Sequence, residues 1–187
     1  MIWNLPNILS LYRIAAAPLL LYFCIFGKVD LFTLFLLASL ISDILDGLIA
    51  RIFNMKTEIG SFLDSCADMA TLAVTVIGIF VFQKPFLHDH WAPMVAILGA
   101  YLSEVVVALF RYGKITSFHT LLNRINAYGQ GVFVISLFIF GYKSWIFYPV
   151  IALSLTAYVE EIVMVALLKE WQSNIHGLYF VLKKHRE

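Results

Sequence analysis

Residues 42–69 read SDILDGLIARIFNMKTEIGSFLDSCADM and place four aspartates, Asp43, Asp46, Asp64 and Asp68, between apolar runs. A carboxylate inside a lipid bilayer is costly, by about 2.5–3.5 kcal/mol on insertion scales, so such residues face interior cavities and usually serve a function. This stretch is therefore informative about both the fold and the function of the chain.

The composition predicts an integral membrane protein. The 187 residues are 61% hydrophobic and 13% charged, whereas soluble domains average about 45–50% and about 25%. We expect an all-α fold with a single domain over 1–187. The net charge of +1 gives no indication of a nucleic-acid partner. Cys24 and Cys66 lie in apolar stretches and are interpreted as small buried hydrophobic residues.

Six stretches are long and apolar enough to be transmembrane helices, which need about 20 residues each. They are 10–27, 31–53, 60–83, 92–112, 121–141 and 144–168. The first dozen residues have an amphipathic pattern, which predicts a short helix in the membrane interface before the first span. No basic residue precedes the first apolar run, so we expect this segment to be retained rather than cleaved as a signal peptide.

The basic residues are distributed unequally between the two sides that six spans define. Ten of the 13 fall on one side and three, Lys28, Lys84 and Lys143, on the other. The ten are Arg13, Arg51, Lys56, Arg111, Lys114, Arg124, Lys169, Lys183, Lys184 and Arg186. By the positive-inside rule, both termini and the aspartate-bearing ends of spans two and three are then cytoplasmic. We expect the membrane to be of the bacterial inner-membrane type.

Helical periodicity places the small and acidic residues of the opening stretch on two stripes. Asp43, Asp46, Gly47 and Ala50 are spaced i, i+3, i+4, i+7, and Gly60, Asp64 and Asp68 are spaced by fours. A short turn between two helices makes them antiparallel, which puts Asp46 and Asp64 at comparable depths. Both stripes can then face one cavity.

Four adjacent carboxylates raise each other's pKa and cannot all stay ionised without a positive partner. Divalent cations supply that charge, and an all-oxygen site suits Mg²⁺, Mn²⁺ or Ca²⁺ rather than Zn²⁺. Two metals would hold a phosphoryl group and its leaving oxygen. The small residues leave room for a flat ligand, and close helix packing is the alternative explanation for them.

The stretch from Asp43 to Asp68 reads D-x2-D-G-x2-A-R-x8-G-x3-D-x3-D. It resembles the signature of the CDP-alcohol phosphatidyltransferase family at all eight fixed positions. The resemblance implies transfer of a phosphatidyl group from CDP-diacylglycerol to an alcohol, with release of CMP. It also implies a fold of six transmembrane helices preceded by an amphipathic interfacial helix, and a possible homodimer in the lipid bilayer.

The resemblance also implies a role for each signature residue. Asp43, Asp46 and Asp64 would bind metal and hold the diphosphate of the CDP group, with Mg²⁺ or Mn²⁺, two ions, as the cofactor. Asp68 would be the general base for the acceptor hydroxyl and would also contact the second metal. The other signature residues would bind CDP: Gly47, Ala50 and Gly60 around the cytidine, and Arg51 against CDP or bracing the site.

The acceptor alcohol is less well indicated. The segment NLPNILSLYRI, residues 4–14, resembles phosphatidylglycerophosphate synthases and the related cardiolipin synthases, which favours glycerol 3-phosphate. Those enzymes usually carry DPLADK where this chain has DSCADM, so Ser65, Cys66 and Met69 depart from their pattern. The DS–AD pattern of residues 64–68 looks more like other branches of the family, including the serine-type and inositol-type transferases. Inositol, inositol phosphate, serine and phosphatidylglycerol therefore remain alternative acceptors.

A phosphorylated acceptor needs basic residues, and Arg111 and Arg124 are the candidates, because arginine makes bidentate contacts with phosphate. Both could instead be interfacial anchors, and Arg13 is similarly ambiguous. Glu104, Glu160 and Glu161 could serve a function or pair with Arg13 or Arg124, and they are left without a role.

A cation channel or transporter is the alternative from a different class of protein. Intramembrane carboxylates alone would permit it. The confinement of the acidic cluster to one half of the membrane argues against it, because a pathway needs polar residues along its whole length.

Overall fold

The computed structural model describes residues 4–53, 57–112, 120–168 and 178, and these residues are helical apart from short connections. The helices are α1 Leu5–Ile25, α2 Val29–Ile52, α3 Glu58–Phe82, α4 Lys84–Asp89, α5 Trp91–Tyr112, α6 Leu121–Phe140 and α7 Ser144–Leu167. The predicted all-α class is confirmed. Six predicted cytoplasmic residues, Lys56, Lys114, Lys169, Lys183, Lys184 and Arg186, lie outside the described ranges.

Five of these helices are long and apolar enough to cross a membrane, namely α1, α2, α3, α5 and α7. The chain is therefore a multi-pass membrane protein. Helix α6, predicted as the fifth of six spans, is not among the five, so the count of six is not confirmed. A separate interfacial helix is not confirmed either, because in the described residues α1 runs without interruption from Leu5 to Ile25.

The chain divides into two compact units, 1–88 and 89–187. In the first unit α1 packs against both α2 and α3. Its core includes the fully buried side chains of Leu20 and Phe32. Cys24 is also buried, as predicted, whereas Cys66 is half-buried. The single-domain assignment stays a prediction.

The turn between α1 and α2 depends on a glycine. Gly27 has a φ of +65°, in the left-handed region that favours glycine. The N–H of Lys28 donates to the carbonyl of Phe23 at 2.9 Å, which closes the end of α1. The chain then reverses directly into α2.

In the second unit α7 packs against α5 and α6. The contact between α6 and α7 is polar: Ser154 donates to Asn126 Oδ1 at 2.6 Å, and Gln130 Nε2 donates to Ser154 and Tyr158 at 3.1 Å each. Polar residues at i and i+4 on α6 therefore bond to α7. This polar stripe explains why α6 is the least apolar of the long helices.

Candidate metal and phosphate site

The aspartates come together at the ends of α2 and α3 that lie nearest in sequence. Asp43 and Asp46 lie in the last three turns of α2. Thr57 begins α3 as its N-cap, because its Oγ1 accepts the N–H of Gly60 at 3.0 Å. With the start of α3 fixed there, Asp64 and Asp68 lie about two and three turns into the helix.

All four carboxylates bind one guanidinium, that of Arg13 on α1. Its Nη1 donates to Asp43 at 2.7 Å and to Asp68 at 2.6 Å. Its Nη2 donates to Asp46 at 2.8 Å and to Asp64 at 2.5 Å. Each nitrogen thus joins one aspartate of α2 to one of α3. The aspartates of the two predicted stripes therefore meet at one point, and Asp46 and Asp64 bind the same nitrogen.

The cluster has a buried side and an open side. The side chain of Arg13 is 1% exposed and that of Asp46 is 6% exposed. In contrast, Asp43 is 45% exposed, Asp64 47% and Asp68 57%. Arg13 therefore reaches the carboxylates from within the protein, while a ligand can reach three of them from outside.

The donor set fits a hard divalent cation. Asp43, Asp64 and Asp68 each offer a carboxylate oxygen, and these atoms lie within 4.8 Å of one another. Mg²⁺ is typically bound through a few carboxylates together with substrate phosphates. Asp46, the fourth predicted ligand, is not in that group of three, and its Oδ2 accepts bonds from both Ser10 and Arg13.

The two glycines of the signature have different surroundings. A Cβ added to Gly47 would meet no atom within 4 Å, so space is open beside it. A Cβ added to Gly60 would lie 2.5 Å from Asn7 Oδ1 and 2.8 Å from Thr57 Oγ1. A side chain at Gly60 would therefore force Asn7 and Thr57 to move at the point where α1 and α3 approach closely. Ala50 is half-buried, and the side chain of Arg51 lies outside the described part of the chain.

Sequence reasoning assigned no role to Asn7 and Ser10. Both are buried, at 2% and 3% exposure, and Ser10 Oγ donates to Asp46 Oδ2 at 3.3 Å. The signal was the spacing 7, 10, 13 in the first helix, which puts Asn7, Ser10 and Arg13 along one face of α1. Polar residues on one face of an apolar helix indicate a polar partner.

The predicted acceptor-binding arginines lie in the second unit, and both are exposed. Arg111 Nε donates to the carbonyl of Leu168, just beyond α7, at 3.3 Å. Arg124 lies in the first turn of α6, where its N–H bonds the carbonyl of Thr120 at 3.2 Å.

The three unassigned glutamates also lie in the second unit. Glu161 accepts a hydrogen bond from Asn123 Nδ2 at 2.7 Å, and Glu160 accepts one from the N–H of Leu178 at 2.9 Å. Glu104 is buried on α5.

The chain is thus a multi-pass helical membrane protein that has four carboxylates at the adjoining ends of two helices, with the oxygen donors that a divalent cation requires. Comparison with known proteins identifies the family. The model described as CDP-alcohol phosphatidyltransferase matches residues 3–170. The chain belongs to the CDP-alcohol phosphatidyltransferase family, whose members are phosphatidyltransferases that use divalent metal ions.

Individual relatives have moderate identity. A protein of Aquifex aeolicus named "CDP-diacylglycerol--glycerol-3-phosphate 3-phosphatidyltransferase" is 28% identical over 136 residues, covering 66% of this chain and 74% of that protein. A protein of Mycobacterium tuberculosis named "Probable phosphatidylglycerophosphate synthase" is 33% identical over 146 residues, covering 72% and 67%.

A third relative, from Cereibacter sphaeroides, has the same name as the Aquifex protein. It is 37% identical over 92 residues, which cover 46% of this chain. The chain spans only 41% of the length of that relative. No solved structure gives a significant match.

Proposed function

We propose that this protein transfers a phosphatidyl group from CDP-diacylglycerol to glycerol 3-phosphate and releases CMP. The acceptor hydroxyl oxygen forms a bond to the phosphorus that carries diacylglycerol. The bond from that phosphorus to the oxygen bridging to CMP breaks, and CMP leaves with the bridging oxygen. The proton of the hydroxyl passes to a carboxylate of the enzyme.

The convergence of four signature aspartates on one point is the observation that carries this proposal. Two come from α2 and two from α3, and all four lie within hydrogen-bonding distance of the Arg13 guanidinium. So dense a negative charge suits a site whose ligands are cations and the phosphates that they carry. Bound Mg²⁺ or Mn²⁺, as two ions, would neutralise the diphosphate and stabilise the departing CMP.

The four aspartates would have two different roles, metal binding and general-base catalysis, according to their positions. Asp43, Asp46 and Asp64 would hold the metal and, through it, the diphosphate. Asp68 has the most exposed carboxylate of the four, at 57%, which supports its assignment as the general base that takes the acceptor proton. It would also contact the second metal. A positioned general base contributes about 10²–10⁴-fold to a rate.

The nucleotide would lie against the small residues of the signature. The open space beside Gly47 supports a pocket there, since a side chain at that position would intrude on the ligand. Ala50 and Gly60 would complete the cytidine pocket, with Arg51 contacting the CDP group. For Gly60 this role is additional to its contact with Asn7.

Glycerol 3-phosphate is proposed as the acceptor because the Aquifex, Cereibacter and Mycobacterium relatives have names that specify phosphatidylglycerophosphate synthesis. The N-terminal segment 4–14 favours the same branch of the family. Arg124 and Arg111 would bind the phosphate of this acceptor. The exposed guanidinium of Arg124 is the better candidate, because that of Arg111 already bonds the carbonyl of Leu168.

Family resemblance and the distribution of basic residues support a topology with six spans, an N-terminal interfacial segment and a cytoplasmic site. In this arrangement α6 completes a set of six spans, and the first residues of the chain lie in the membrane interface. The aspartates then face the cytoplasm, in an inner-membrane-type bilayer. A homodimer is proposed from the resemblance alone. Cysteine labelling from either side of sealed vesicles tests the sidedness.

An acceptor panel tests the reaction. The full chain, purified in detergent, is given CDP-diacylglycerol and Mg²⁺ or Mn²⁺, with glycerol 3-phosphate, inositol, inositol phosphate, serine or phosphatidylglycerol. We expect CMP release with glycerol 3-phosphate and none for Asp64→Asn. The matched control is Asp30→Asn, an exposed aspartate in the first turn of α2 that should retain activity. Release with a different acceptor would replace glycerol 3-phosphate, and no release with any acceptor would overturn the proposed function.

A further inference from the structure

Arg13 has no role in the reaction proposed above, yet it is the most fully paired side chain of the site. Its guanidinium donates to one oxygen of each of the four aspartates. Its side chain is 1% exposed, and its buried Nε has no hydrogen-bond partner among the residues that the structure describes. Within that part of the chain, the terminal nitrogens make all of its polar contacts, and they make them to the aspartates.

The charges of the cluster do not balance with Arg13 alone. Four ionised carboxylates carry about four negative charges, and the single positive charge of the guanidinium neutralises one of these. Arg13 and Asp46 form a pair that is buried on both sides, and removing one partner of a buried ion pair leaves uncompensated charge and is strongly destabilising. In the absence of metal, Arg13 on α1 is thus a positive group that allows the acidic faces of α2 and α3 to pack together.

The same carboxylates are those that would bind metal. Mg²⁺ lies about 2.0–2.1 Å from its ligand oxygens, and Arg13 Nη1 and Nη2 lie 2.5–2.8 Å from oxygens of the same four groups. A divalent ion and the guanidinium would therefore share carboxylates at short range. Like charges at such separations repel strongly, and burial weakens the screening by water.

We propose that Arg13 is the counter-ion of the four aspartates before metal binds, and that it competes with divalent metal for them. Arg13 is in this sense a positioning residue: it sets the metal concentration at which the site fills, and it holds the ligands in place until then. The inference rests on the metal-binding role in the proposed function. The guanidinium opposes metal from the buried side, whether or not it moves when metal arrives at the open side.

Direct measurement of metal affinity tests the competition. Mn²⁺ binding to the full chain in detergent is followed by the electron paramagnetic resonance signal of unbound Mn²⁺, for the wild type, Arg13→Gln and Lys28→Gln. Lys28 is an exposed basic residue at the start of α2, so its variant makes the same charge change away from the cluster. We expect Arg13→Gln to bind Mn²⁺ about tenfold more tightly than the wild type, and Lys28→Gln to bind it as the wild type does.

Thermal denaturation supplies a second readout. In EDTA, Arg13→Gln should denature at a lower temperature than the wild type, because its four carboxylates have no counter-ion. Added Mn²⁺ should raise its denaturation temperature by more than it raises that of the wild type. A loss of packing alone would lower stability in EDTA and in Mn²⁺ equally, and that result would contradict the competition.

Unchanged or weaker Mn²⁺ binding by a folded Arg13→Gln variant would overturn the inference. If that variant does not fold, Arg13→Lys decides, because one ammonium group cannot reach four carboxylates as the planar guanidinium does. Tighter binding than the wild type supports competition, and equal or weaker binding refutes it. Absence of Mn²⁺ binding by the wild type would overturn the metal-dependent function as well, so the two failures are distinguishable.

Discussion

Gly60 lies directly against Asn7, so that α3 and α1 meet where neither could carry a larger group. A Cβ at Gly60 would be 2.5 Å from Asn7 Oδ1, and Asn7 is itself 2% exposed. The contact lies one turn before Asp64 on α3 and two turns before Arg13 on α1. Close packing at this point therefore sets the separation of the helices that carry the acidic cluster.

Alanine at Gly60 should be more damaging to stability than alanine at Gly47. Both glycines are inside helices, so the gain in helix propensity is similar and largely cancels in the comparison. The Cβ at Gly60 would displace Asn7 and the capping Thr57, and overpacking of this kind costs about 1–3 kcal/mol. Chemical denaturation in detergent gives the difference between Gly60→Ala and Gly47→Ala.

Gly47→Ala is the matched control, because its Cβ would enter open space. We expect the gain in helix propensity to raise its stability by up to about 1 kcal/mol. Its KM for CDP-diacylglycerol should rise, as the methyl group would intrude on the nucleotide. Equal stability of the two variants would show that Asn7 and Thr57 can move away from the new Cβ at Gly60 without lowering the free energy of unfolding.

Asp68→Asn should abolish turnover while leaving the CDP-lipid bound. The amide cannot take the proton of the acceptor hydroxyl, so kcat should fall by about 10²–10⁴-fold. Single-turnover CMP release and equilibrium binding of CDP-diacylglycerol measure the two effects separately. Loss of lipid binding together with turnover would make Asp68 chiefly a metal ligand, and the control Asp30→Asn should affect neither quantity.

The aspartate stripes were predictable because helical periodicity and a short connection determine them locally. Asp46 and Asp64 follow from the spacing within α2 and α3 and from the antiparallel turn between these helices. The partner of these residues was not predictable in the same way. Arg13 is 33 positions before Asp46 and 51 before Asp64, and which face of α1 packs against the pair is decided by tertiary contacts.

The polar residues of α6 show a second limit of sequence reasoning. Length and hydrophobic content predicted the helix 121–141, and α6 is observed at Leu121–Phe140. The same criteria could not show that Asn126 and Gln130 bond to Ser154 on α7. Such pairs depend on how two helices are rotated against each other, which periodicity within one helix does not determine.

Arg124→Ala should raise the KM for glycerol 3-phosphate more than the KM for CDP-diacylglycerol, because the guanidinium is proposed to bind the acceptor phosphate. Initial rates with each substrate varied in turn measure the two constants. Arg111→Ala is the comparison, and it should lower the denaturation temperature, since Arg111 Nε bonds the carbonyl of Leu168. An unchanged acceptor KM for Arg124→Ala would identify this residue as an interfacial anchor instead.

Asn123→Ala should destabilise the second unit through Glu161. Asn123 Nδ2 donates to Glu161 Oε1 at 2.7 Å, Glu161 is 0% exposed, and its Oε2 has no hydrogen-bond partner in the described chain. Loss of the amide removes a hydrogen-bond donor from a buried carboxyl group whose other neighbour is Glu104, which costs about 1–3 kcal/mol. Denaturation in detergent measures this loss.

Replacement of Glu161 itself distinguishes the hydrogen bond from packing. Glu161→Gln keeps an acceptor oxygen for Asn123, so it should be more stable than Glu161→Ala, which removes both the acceptor and the buried volume. Thr156→Ala is the control on the same helix, because Thr156 is exposed and its hydroxyl donates to the carbonyl of Ala152 within α7. If Glu161→Gln proved as unstable as Glu161→Ala, the contact with Asn123 would not be what holds α6 against α7 at this position.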